Sequence, residues 1–94
     1  MVGSKMRELF LLKMAVPHMS QIQKDGLKIK TLEGIQSESI KCHKKGMTLD
    51  QILAPSYKNK DFMFILYHLG IDADKLKEIV TDYISEYEHA NRSI

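Results

Sequence analysis

The chain has 94 residues, enough for one domain and too few to divide into two. Hydrophobic residues make up 44% and charged residues 28%, a globular balance that excludes a disordered or fibrous chain. The formal net charge of +2 names no partner by itself, and the single cysteine, Cys42, excludes an internal disulfide and suits a reducing compartment.

The charge is unevenly distributed. Residues 1–60 carry eleven basic and five acidic side chains, a net of +6. Residues 61–94 carry three basic and seven acidic ones, a net of −4. A basic half can meet an anionic partner or the acidic half of another copy, although a short chain can also divide its charges unevenly by chance.

Scarcity of turn formers, with only two Pro and five Gly, favours helices over a sandwich or barrel. The first helix is expected from about Lys5 to Val16, with Ser4 as its N-cap and Pro17 as its end. Met6, Leu9, Phe10, Lys13 and Met14 lie at helical spacing, with Leu11 and Leu12 broadening the apolar stripe. Lys5 and Arg7 ahead of this run raise the question of a secretion signal. Glu8 and Lys13 break the pattern, no small-residue cleavage site follows Val16, and the run is shorter than a membrane span. A buried helix in a cytoplasmic protein is the expectation.

A short helical piece from His18 to Lys24 should stop at the turn dipeptide Asp25-Gly26. Leu27-Lys28-Ile29-Lys30 alternates apolar and basic residues, which reads as an extended connection able to pair with a second copy. Thr31 then caps a helix from Leu32 to Lys45 that Gly46 stops, and Thr48 caps a short helix from Leu49 to Ala54 that Pro55 closes. Ser56 to Lys60 forms a polar loop.

Asp61 to Leu69 is read as a helix ending at Gly70, apolar on nearly every side from Phe62 onwards. Such a helix is either central to the core or shared with a partner chain. The last helix starts at Asp72 or Asp74, runs to about His89 or Ala90, and leaves a frayed tail from about residue 91. Its Leu76, Ile79, Val80, Tyr83, Ile84 and Tyr87 share one face, with charged residues mostly opposite. The fold expected is an all-α single domain: a bundle of four to five helices with a central apolar helix and an amphipathic C-terminal helix.

Chemistry-bearing patterns are sparse. Cys42 and His43 are adjacent, so on a helix they point about 100° apart and the histidine is badly placed as a base for the thiol. His68 sits in the most apolar helix, where a core or helix-end role explains it. Asp72 and Asp74 suit helix capping, and no phosphate loop, nucleophile elbow or metal-ligand spacing occurs. No enzyme, cofactor or small-molecule substrate is expected.

Two binding readings compete. The first is a small non-enzymatic regulatory or adaptor protein, a homodimer formed through Leu76, Ile79, Val80, Tyr83, Ile84 and Tyr87. The second starts from Lys44 to Leu53, which resembles the entry to a helix-turn-helix: a glycine stop, a threonine cap and a short helix, with Asp61–Leu69 following. That resemblance implies a DNA-binding regulator using Lys41, Lys44, Lys45, Lys58, Asn59 and Lys60. It ranks second because the expected turn is long and Phe62–Leu69 would be wasted against base edges.

Overall fold

The computed structural model describes the backbone of residues 2–92 and the side chains of residues 7–92. Five α-helices follow one another: α1 (Val2–Ala15), α2 (Gln21–Lys44), α3 (Leu49–Lys58), α4 (Lys60–His68) and α5 (Ala73–Arg92). A 3-10 turn, Val16–His18, joins α1 to α2, and Pro17 sits in it as the helix stop the sequence requires. No strand occurs among the described residues. The all-α bundle is therefore the observed architecture.

Local chemistry sets most of the boundaries. Gly46 and Gly70 both take left-handed φ values, 83° and 81°. At each, paired backbone bonds close the preceding helix: Met47 N–H to Cys42 C=O and Gly46 N–H to His43 C=O, then Ile71 to Leu66 and Gly70 to Tyr67. This is the Schellman arrangement, which needs a residue without Cβ strain at the left-handed position. Two residues after each glycine a cap opens the next helix. Thr48 forms a reciprocal box with Gln51, and the Asp72 carboxylate accepts from Lys75 N–H at 2.8 Å.

Several expected boundaries move. Asp25-Gly26 does not end a helix, and Leu27–Lys30 is not extended; both lie inside the 24-residue α2. Ser20 and Gln23 cap its start reciprocally, and the Gln21 amide donates to Asp25 at 2.8 Å, holding Asp25 in helical register. Leu27 packs under the first half of α2 while Leu32 and Ile35 pack under the second. Burial at both ends outweighs the roughly 1 kcal/mol that each of Gly26 and Gly34 costs a helix relative to alanine. Thr31 is accordingly mid-helix rather than a cap, its hydroxyl donating to Leu27 C=O at 2.7 Å.

Ser4 lies within α1, which already begins at Val2. Pro55 lies within α3, forfeiting one backbone bond, and the polar loop after it shrinks to Asn59 alone. Asn59 closes α3 with its N–H and caps α4 with its side chain, which accepts from Phe62 N–H at 3.1 Å. At the other end α5 runs to Arg92, and the rest of the tail expected to fray, residues 93–94, lies outside the described residues.

Two buried clusters share α4 as their common wall. Leu53, Leu66, Ile71, Leu76 and Val80 form the larger, joined by half-buried residues of α2, α3 and α5. Val16, Ile65 and Leu69 form the smaller, covered by Leu9 and Leu12 of α1, Met19, and Leu27 of α2. Because the clusters lie side by side, the molecule is elongated. Its radius of gyration is 14.2 Å, against about 12 Å for a typical compact domain of this length.

The helix α4 is thus buried on two sides, not all round. Ile65, Leu66 and Leu69 are covered, whereas Tyr67 is 71% exposed and Phe64 is exposed as well. Nine residues at 100° intervals cover the whole circumference of a helix, and the neighbours occupy only part of it.

Candidate functional site

The expected α5 interface is placed largely against α2 and α3 of the same chain. Leu76 and Val80 are fully buried in the larger cluster. Ile79, Tyr83, Ile84 and Tyr87 are half-buried, so they retain a rim of surface rather than an open face. Tyr87 is enclosed further by His43 edge-on at 6.2 Å and by the Lys44 ammonium 5.4 Å from its ring.

The lysines of the nucleic-acid reading fall in two places. Lys41 and Lys44 flank a shallow depression on α2 around Ile40. Lys58, Asn59 and Lys60 line another at the α3–α4 junction, which also contains the acidic Asp61. The ten residues of α3 separate these groups, since α2 ends just before the start of α3 and Lys58 lies at its far end. That length is about 15 Å.

Cys42 and His43 also part company. The Cys42 thiol lies 3.7 Å from the Glu38 carboxylate on its own helix, and His43 Nε2 lies 3.0 Å from Glu88 Oε1 on α5. His43 is thereby a tie between α2 and α5. The half-buried His68 ring lies 4.6 Å from that of Phe64, tilted by 56°, and meets the exposed Tyr67 edge-on at 5.9 Å. Among the described residues no cluster of three or more His, Cys, Asp or Glu is arranged to hold a metal. No described helix is long and apolar enough to cross a membrane.

Sequence reasoning missed a set of exposed apolar residues on α1 and α4. Among the described residues eight large apolar side chains are buried and eight are exposed. Five of the exposed ones, Phe10, Leu11 and Met14 of α1 with Phe64 and Tyr67 of α4, belong to two helices that pack together. On α1, Leu9 and Leu12 point inward, which forces Phe10, Leu11 and Met14 outward. Lys13 lies between the two sets: its ammonium reaches Asp61 at 2.9 Å and stands 5.8 Å from the Phe64 ring. Ile22 and Ile29, two turns apart on α2, add a further exposed stripe. Single apolar residues on a surface need no explanation; five large ones exposed on two neighbouring helices are the strongest candidate surface among the described residues.

The signal was in the sequence as four consecutive apolar residues, Leu9 to Leu12. No helix can hide all four against one neighbour, because they span 300° of its circumference. Comparison with family models, curated proteins and solved structures gives no match for this chain.

Proposed function

We propose that the chain is a small non-enzymatic regulatory or adaptor protein that acts through protein–protein contact and self-associates as a homodimer. The observation that carries this reading is the exposure, in the single chain, of five large apolar side chains on the neighbouring helices α1 and α4: Phe10, Leu11, Met14, Phe64 and Tyr67. Each large side chain left uncovered forgoes up to roughly 1.5–3 kcal/mol, a large sum beside the 5–15 kcal/mol total of a typical domain. Charge is compatible with a second copy as the cover. Lys13 of α1, beside Phe64, is paired with Asp61 of α4 at 2.9 Å, so it does not stand as an uncompensated cation where two like faces would meet. Tyr67 and Phe64 are also of the residue types that anchor interfaces.

The lone, half-buried Cys42 fits a reducing, cytoplasmic setting. The engagement of Cys42 and His43 with separate carboxylates supports the non-enzymatic part of the reading. The DNA-binding alternative needs its lysines on one face; Lys41 and Lys44 flank one depression, while Lys58 and Lys60 line another that also holds the acidic Asp61.

Sedimentation across a concentration series tests the proposal. The wild-type chain should exceed its 10.8 kDa monomer mass at tens of micromolar, and Phe10→Ser with Tyr67→Ser should return it to monomer without altering its helical signal. Loss of association on Tyr87→Ser alone would move the interface to α5. A monomer at every concentration, together with salt-sensitive binding to duplex DNA, would favour the alternative.

A further inference from the structure

Between α2, α3 and α5, on the side away from α1, lies a partly open cavity of about 360 Å³. Its walls are mostly apolar: Ile35 of α2, Leu53 of α3, Phe62 of α4 and Val80 of α5 converge on it. Small-molecule sites typically measure about 300–1,000 Å³ and combine apolar walls with a few placed polar groups. This cavity sits at the low end of that range and has that composition.

Two features of α2 give it a chemical preference. The first is Gly34, in the interior of a 24-residue helix, where glycine is unfavourable by about 1 kcal/mol relative to alanine. Glycines kept in helices commonly allow a neighbour to approach, yet a Cβ added at Gly34 would meet nothing within 4 Å. Its missing side chain leaves one wall of the cavity open instead. The second is Glu38, one turn further on, an exposed carboxylate that also lines the cavity. It accepts a long contact from the weakly donating Cys42 thiol at 3.7 Å and makes no ion pair among the described residues. No lysine or arginine lines the cavity.

An apolar chamber with one carboxylate at its edge that lacks a cationic partner selects a molecule with an apolar body and a cationic head. We infer that the cavity beside Gly34 and Glu38 binds a small hydrophobic amine, its body held between α2, α3 and α5 and its ammonium paired with Glu38. This is ligand binding on a surface other than the α1–α4 face, so it stands or falls independently of self-association.

Three probes of matched size isolate the charge: phenylbutylamine, phenylbutanol and phenylpentanoate, titrated into the full chain and followed by two-dimensional NMR. The amine should shift the amides of residues 31–39 and 52–56 saturably and bind about fivefold or more tighter than the alcohol, with the carboxylate weakest. Glu38→Gln should bring the amine down to the affinity of the alcohol. Gly34→Leu, which fills the space, should abolish binding of all three while keeping the helical signal. Gly34→Ala, adding one carbon into open space, should weaken binding part-way and serves if the leucine variant does not fold. Absence of saturable shifts at millimolar amine would overturn the inference. Equal affinity for the three probes, or binding unchanged in folded Gly34→Leu, would overturn it too.

Discussion

The two clusters on either side of α4 differ in how completely the same kind of residue is hidden. On the α5 side, apolar residues recur at three- and four-residue intervals, so one face of the helix covers them: Leu76 and Val80 disappear into the core and Ile79 and Ile84 pack around it. On the α1 side they stand consecutively. Leu9 and Leu12 reach the core, while Phe10 and Leu11 between them remain in water. The two helices use similar side chains; their spacing decides whether one neighbour suffices. A segregated helix completes a domain, and an unsegregated one leaves a surface for something else.

This contrast gives the largest expected effect. Leu66→Ala and Leu76→Ala, on the fully buried side, should each cost about 2–5 kcal/mol in denaturant unfolding. Leu11→Ser, on the open side, should change monomer stability by no more than about 0.5 kcal/mol while weakening self-association. Comparable losses for Leu11 and Leu66 would erase the distinction between the two regions.

Glycine at the helix ends provides a smaller effect. Gly46→Ala and Gly70→Ala each force a Cβ into left-handed backbone and should cost about 1 kcal/mol, read from the midpoint of urea unfolding. Caps sharpen the comparison next. Thr48→Ala opens a helix on the α5 side and Ser20→Ala one beside α1; each should cost about 1 kcal/mol if the two helix starts are equally well formed.

The smallest effect is alkaline. Burial, with Asp74 and Asp50 nearby, raises the pKa of Tyr57, and burial with Glu86 nearby raises that of Tyr83. Both tyrosines then hold their protons more tightly in the folded chain than in the unfolded one. Their contribution is complete below the ordinary tyrosine value of about 10 and fades as pH climbs through the raised folded values. Tyr57→Phe and Tyr83→Phe should therefore lose less stability than the wild type between neutral and strongly alkaline pH, measured by urea unfolding at each pH.

The legible parts of this fold were those decided within a few residues. Gly46 before Thr48 and Gly70 before Asp72 end one helix and begin the next through bonds confined to a short stretch, so the residue types alone place both junctions. The continuity of α2 was not legible, because Asp25-Gly26 is a turn signal overridden by distant packing of Leu27 against Val16, Ile65 and Leu69. Pro55 misled in the same way, marking a helix end that α3 passes by one turn. Of the six residues expected to form an interface on α5, Leu76, Ile79, Val80 and Ile84 pack in or against the larger cluster of their own chain. What no periodicity reveals is whether that face meets the rest of its own chain, and α2 lies against it. The helix at 62–69 was expected at the centre of the core because it is apolar on nearly every side; Phe64 and Tyr67 are exposed because its neighbours occupy only part of its circumference.

The central claim is that the α1–α4 surface is covered by a second copy of the chain. Solvent paramagnetic relaxation with a soluble nitroxide tests it most directly, comparing side-chain signals of Phe10, Leu11, Met14, Phe64 and Tyr67 in dilute and concentrated solution. The account predicts that these signals are bleached when dilute and protected when concentrated, with Lys77 and Asp82 on the outer side of α5 bleached equally in both. Equal bleaching of the aromatic and aliphatic signals at every concentration would contradict it.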